Sequence, residues 1–264
     1  MEEKIKPTVL ISNDDGISAP GIRHLWNALH EDFDVTIVAP NSQKSGSGCA
    51  TTLFKPLHIF EEKWEKNTKA YRITGTPTDS IKIALSSILE KKPDLIISGI
   101  NPGSNAGAGA LYSGTVGCTI EGALRNITSI AFSCEDLENP NFIEAEKYIP
   151  KIAHFFLNNK PPMGTLINVT FPKKNVQIKG IKLSTQGKSR WLESPDKRNH
   201  PEGHHYYWLG GTWSLHEEEK DHSDTILLQQ GYITASPIKV IDLTDVDFLN
   251  STKVSFEKIL EDFN

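Results

Sequence analysis

Over the first 135 residues, short β-branched runs alternate with stretches whose apolar residues recur every three to four positions, and few folds are open to a chain with that rhythm. Thr8 to Ile11 (TVLI) and Val35 to Val38 (VTIV) each read as a fully buried strand. Between them, Ser18 is expected to cap a helix whose face is Ile22, Leu25, Trp26 and Leu29, spaced i, i+3, i+4 and i+7. Thr76, Pro77 and Asp79 suit the N-cap, first and third positions of a second helix with Ile81, Ala84, Leu85, Ile88 and Leu89 on its apolar face. Pro93 stops that helix. Leu95 to Ile97 and Ser129 to Phe132 are further strands, flanking a helix from about Thr115 to Arg125. Strands that alternate with helices pair in parallel, so an α/β fold is expected, with helices covering a mostly parallel sheet.

The later half is less regular. Phe142 to Phe156 has helical spacing, and Leu166 to Thr170, Ile178 to Leu183 and Tyr232 to Ile238 read as strands. Residues 186–222 break the pattern: they hold three of the five tryptophans and five of the nine histidines around a Gly210-Gly211 turn signal, which predicts a projecting hairpin. Phe256, Ile259, Leu260 and Phe263 suggest a terminal helix. With 264 residues, 38% hydrophobic and 23% charged, the chain can bury a sizeable core as one domain and is neither fibrous nor disordered. A net charge of −5 supplies no field for duplex nucleic acid, and no apolar run approaches the ~20 residues of a membrane span. The charged start MEEKIKPT does not resemble a signal peptide, and Cys49, Cys118 and Cys134 form no CxxC; a cytoplasmic protein with reduced thiols is expected.

In a parallel sheet, ligands collect beyond the carboxyl ends of the strands. There the chain offers Asn13-Asp14-Asp15-Gly16, Ser45-Gly46, Gly99-Ile100-Asn101, and Tyr112-Ser113-Gly114-Thr115 leading into a helix. Adjacent carboxylates repel each other unless a cation lies between them, and oxygen ligands suit Mg²⁺ or Mn²⁺. On the dipeptide alone a turn is the favoured reading, with Asp15 capping before Gly16 and Asp14 in solvent. Ser45 and Asn101 would add neutral oxygens and leave positions for water and substrate, or each would simply stabilise its own loop. Ser113, Gly114 and Thr115 at a helix N-terminus suit an anion such as phosphate, and also suit an ordinary helix cap.

Other motifs fail. Gly107 and Gly109 begin a GxGxxG pattern that ends on Tyr112, Gly187-Lys188-Ser189 has Lys182 where a P-loop needs its first glycine, and GxSxG does not occur. Asp245 and Asp247 form a DxD with too little chain beyond it to build a site. His200, His204 and His205 lie together without metal-site spacing and are expected on an exposed loop.

The segments ISNDDGISAPGI (11 to 22), APNSQKSGSG (39 to 48), GTPTDS (75 to 80), SGINPGSNAG (98 to 107) and YSGTV (112 to 116) together closely resemble the SurE family of survival proteins with 5′/3′-nucleotidase activity. INVTFP (167 to 172), STQG (184 to 187) and QGYITASPI (230 to 238) extend the resemblance over most of the chain. It implies a Rossmann-like three-layer sandwich, one domain spanning 1–264, with a nucleotide- and metal-binding core over about 1–135. The 186–222 hairpin and C-terminal elements over 223–264 would be exchanged between subunits of a homodimer or homotetramer. One divalent metal, Mg²⁺ or Mn²⁺, would be held by Asp14, Asp15, Ser45 and Asn101. Asn105, Ser113, Gly114 and Thr115 would bind phosphate, and Asp14 and Asn101 would serve catalysis on nucleoside monophosphates. A phosphate or nucleotide sensor that binds in the same crevice without turnover is the alternative.

Overall fold

The computed structural model describes residues 5–258. Nine strands form one sheet: β1 (Thr8–Ser12), β2 (Asp34–Pro40), β3 (Ile59–Glu62), β4 (Lys69–Ile73), β5 (Leu95–Pro102), β6 (Thr128–Cys134), β7 (Thr165–Phe171), β8 (Gly180–Leu183) and β13 (Tyr232–Lys239). The remaining four, β9 (Arg190–Glu193), β10 (Asp196–Asn199), β11 (His205–Trp208) and β12 (Gly211–Ser214), lie outside it. They pair antiparallel as β9 with β12 and β10 with β11. The sheet order is β3-β4-β2-β1-β5-β6-β7-β13-β8, antiparallel only at β3/β4 and β7/β13. Its helices are α1 (Pro20–Leu29), α2 (Pro77–Ile83), α3 (Gly114–Leu124), α4 (Phe142–Glu146), α5 (Ile149–Asn158), α6 (Asp224–Gln229) and α7 (Val246–Glu257). The expected mostly parallel α/β sandwich is the fold observed.

Each central strand is apolar on both faces because each face meets a helical layer. Val9, Ile11 and Ile97 point into a core with Ile22, Leu25, Trp26 and Leu29 of α1, while Leu10, Val38 and Ile96 point the other way, toward Ile81, Ala84 and Cys118. Burying one such side chain contributes roughly 1.5–3 kcal/mol, so the two layers fix the register of β1 between its neighbours. The start of α2 is the anticipated capping box: the Asp79 amide donates to Thr76 Oγ1 at 3.0 Å, and the Thr76 amide donates to Asp79 Oδ2 at 2.9 Å. α2 gives way to a π-helical turn over Ala84–Ile88, so the apolar face read as one helix spans two winding modes.

Other local expectations are corrected. Ala19, not Ser18, precedes α1, which starts on Pro20 with no side-chain cap. The Phe142 to Phe156 run divides into α4 and α5, with Pro150 at the start of the second, where its missing amide hydrogen costs nothing. Asp245 of the DxD caps α7, accepting from the Phe248 amide at 2.9 Å. Ile259, Leu260 and Phe263 of the expected terminal helix lie outside the described residues. Among the described residues no helix is long and apolar enough to cross a membrane.

α1 sits hard against the end of β5: a Cβ added to Gly21 would lie 2.0 Å from the Ile100 carbonyl oxygen. Helix propensity alone predicts that Gly21→Ala stabilises by about 0.5–1 kcal/mol, whereas overpacking predicts a loss of about 1–3 kcal/mol. A lower midpoint in urea denaturation is expected for Gly21→Ala, and a raised midpoint would show that α1 can lift off the strand freely.

Candidate active site

Turn chemistry decides what Asp14 and Asp15 are free to do. The turn after β1 is held by Asn13, whose Nδ2 donates to the Gly16 carbonyl at 2.9 Å and whose Oδ1 accepts from the Gly16 amide at 3.1 Å. The turn role open to Asp15 in the sequence is thus filled by its neighbour, and Asp15 Oδ2 is buried with no hydrogen-bond partner. Burial, and then the adjacent Asp14 charge, push the Asp15 carboxyl up to about 6. Burial also raises Asp14, against the pull of the Thr115 hydroxyl and the amides at the start of α3. A buried and a half-buried carboxylate side by side, with one buried oxygen unpartnered, have the donor chemistry of a hard divalent cation site, so the residues present fit one.

The loop after β2 is latched to Asp14 at one point and to neighbouring segments at two more. The Lys44 amide donates to the Asp14 carbonyl at 2.6 Å, the Gly48 amide donates to the Tyr112 carbonyl at 3.0 Å, and the Thr52 amide donates to Asp79 Oδ1 at 3.0 Å. Burial alone would raise Asp79, but the hydrogen bonds from Thr52 and Thr76 outweigh it and hold the carboxyl below its ordinary value. Ser45 rides on this latched loop, exposed, its Oγ accepting from Gln43 Nε2 at 3.0 Å. Ser47, two residues on, is the deeper hydroxyl: its Oγ is buried and unpartnered, against Gly114.

Gly114 lets α3 approach closely. A Cβ there would lie 2.7 Å from Asp14 Cβ and 2.8 Å from Ser47 Oγ. Ser113 caps the helix by accepting from the Val116 amide at 3.2 Å, and Thr115 Oγ1 donates to Asp14 Oδ1 at 2.5 Å. The positive end of the α3 dipole therefore faces a carboxylate.

Asn101 stands at the end of β5, where the ladder with β6 shifts register between Ser98 and Asn101, a break of the kind that re-aims side chains. Its Nδ2 donates to the carbonyls of Pro102 (3.1 Å) and Gly103 (2.8 Å), so Oδ1 is the atom left for a ligand. Asn105 is buried with its Nδ2 unpartnered, and its carbonyl accepts from Asn168 Nδ2 at 2.9 Å. Asp14, Gly114 and Thr115 are thus in direct contact, whereas no hydrogen bond among the described residues joins Ser45, Asn101 or Asn105 to the Asp14–Asp15 pair.

Several supporting residues escaped the sequence reading. Asn168 is a polar residue within the apolar run of β7, a signal that could have marked it. Asp224, almost fully buried on α6, accepts from the Gly107 amide at 3.1 Å and the Gly187 amide at 2.9 Å. It joins the segment after Asn105 to the root of the 190–214 ladders, and nothing in its local sequence distinguishes it from an ordinary helix-start residue.

Comparison with known proteins bears on this geometry. The family model described as "Survival protein SurE" matches residues 9–193. A protein of Protochlamydia amoebophila named 5′-nucleotidase SurE is 44% identical over 255 residues, covering 96% of this chain and 97% of that one. A protein of Bacteroides thetaiotaomicron with the same name is 41% identical, covering 95% and 96%. The crystal structure of the SurE protein from Aquifex aeolicus superimposes with a TM-score of 0.79 at 37% identity, covering 94% of this chain and 99% of that chain. By profile, by sequence over nearly its whole length and by fold, the chain belongs to the SurE family.

Proposed function

We propose that the chain is a divalent-metal-dependent phosphomonoesterase that hydrolyses nucleoside 5′-monophosphates, and 3′-monophosphates, to nucleoside and phosphate. The observation that carries the reading is the Asp14–Asp15 pair, released from turn duty by Asn13 and set against the N-terminus of α3. The names of the relatives favour turnover over a sensor that only binds.

Asp14, Asp15, Ser45 and Asn101 would hold one Mg²⁺ or Mn²⁺. Bound there, the cation supplies charge neutralisation at the phosphoryl group and acidifies water. Asp14 would orient the attacking water and take its proton. The water oxygen bonds to phosphorus as the ester P–O bond breaks; the leaving oxygen takes a proton from solvent and departs as the nucleoside hydroxyl, and Asp14 returns to solvent the proton it took. Asn101 would help fix the reacting group. The Asn105 amide and the backbone of Ser113, Gly114 and Thr115 would hold the other phosphoryl oxygens, donors whose position is set before substrate arrives.

The reading extends to the whole chain: one unit over 1–264, with its core in 1–135 and self-association through 186–222 and 223–264. Exposed Trp191, Tyr207 and Trp208 on the ladders and Phe248 and Val254 on α7 support a homodimer or homotetramer, since apolar surface of that extent is normally covered. Three free cysteines support a reducing, cytoplasmic setting.

Two predictions test the mechanism. Protein stripped of metal should release no phosphate from a panel of nucleoside monophosphates until Mg²⁺ or Mn²⁺ is restored, and Asp14→Asn should stay inactive with metal while melting as a folded protein; binding without turnover in the restored wild type would favour the sensor. Gly114→Ala adds a methyl group between Asp14 and Ser47 and should lower kcat/KM by about 100-fold, the scale of a 1 Å misplacement at a reacting centre.

A further inference from the structure

The hairpin between β10 and β11 turns through His200-Pro201-Glu202-Gly203-His204. Its backbone is tied at both ends: the His200 amide donates to the His204 carbonyl at 2.8 Å, and the Gly203 amide donates to the His200 carbonyl at 2.9 Å. Gly203 takes φ +89°, a conformation few side chains allow, and Pro201 fixes its own φ. The turn therefore presents its side chains with little freedom left to lose on binding a ligand.

Those side chains converge. The rings of His200 and His204 stack with centroids 4.3 Å apart and planes 15° from parallel, and His200 Nδ1 lies 3.8 Å from Glu202 Oε2. One donor atom from each of His200, Glu202 and His204 falls within 4.8 Å of the others, and among the described residues no other group of three histidine, cysteine or acidic side chains does so. Three ligands around a tetrahedral ion bound at about 2.0–2.1 Å sit roughly 3.3 Å apart, so closure asks about an ångström of movement from exposed side chains. His200 Nδ1 accepts from the Glu202 amide at 3.2 Å, and His205, outside the cluster, has its Nδ1 bonded to Asn199 Oδ1 at 2.7 Å.

We propose that His200, Glu202 and His204 form a second cation site, separate from the Asp14–Asp15 crevice and selective for a borderline transition metal such as Zn²⁺. Two imidazoles and one carboxylate suit Zn²⁺, Ni²⁺ or Cu²⁺ and discriminate against Mg²⁺ and Mn²⁺, which prefer all-oxygen sets. Spacing in sequence gave no hint of this, because the residues are brought together by a hairpin turn and not by a helical face. Three protein ligands leave a fourth position open to water or to a donor from another molecule.

The test is calorimetric titration of the full chain with Zn²⁺ in the presence of excess Mg²⁺. Wild type and Asp14→Asn should each bind one Zn²⁺ equivalent that the excess Mg²⁺ does not displace. The double variant His200→Ala/His204→Ala should lose it, and Glu202→Gln, which keeps the turn, should weaken it by about 10-fold or more. His205→Ala should leave it intact. Retention of the Mg²⁺-resistant equivalent in the double variant, or its loss in Asp14→Asn with the hairpin histidines present, would overturn the site; so would its absence from wild type.

Discussion

Two carboxylates on consecutive residues just past the first strand, Asp14 buried and Asp15 half-buried, are the constraint on which the loops around them depend. Left to itself such a pair costs free energy twice, through lost solvation and through mutual repulsion. Asp14 is met by Thr115 and the start of α3, while Asp15 keeps one oxygen without any protein partner. The surroundings thus compensate one charge and leave the other in want of a counter-ion. That asymmetry distinguishes the pair from a well-satisfied salt-bridge network.

Holding the pair in place requires the sheet and the loops together. β1 lies at the centre of the parallel region with helices on both faces, so its carboxyl end is fixed by core packing. The loop after β2 has no regular structure to stiffen it, and hydrogen bonds from Lys44, Gly48 and Thr52 to three different elements do that work. Small residues then set the clearances. Gly114 admits Asp14 and Ser47 on one side of α3, and Gly117 lies against the Gly48 carbonyl one turn on.

The central fold was legible because period-two and period-3.6 patterns are written locally: TVLI, VTIV and the Ile22–Leu29 face need no knowledge of the rest of the chain. The edge strand β3 and its neighbour β4 were not, since IFEE and KAYRI are short, polar and stabilised mainly by each other and by β2. The loops bearing Asp14, Ser45, Asn101 and Ser113 could be placed near one another from topology alone. The division of labour within them could not: Asn13 makes a local bond to Gly16 that Asp15 could equally have made, Ser113 was open to both a cap and an anion role, and that Ser47 lies deeper than Ser45 depends on its packing against Gly114. Asp224 lies furthest from prediction, because its partners are backbone amides about 117 and 37 residues away.

That aspartate also joins two regions that look independent. Gly107, just past Asn105, and Gly187, at the foot of the aromatic ladders, hang from a single buried carboxylate, and Gln186 adds a bond to the Gly107 carbonyl at 3.0 Å. The foot of the ladders and the segment that follows Asn105 therefore share one anchor, and neither can shift far without breaking a bond to the same carboxylate.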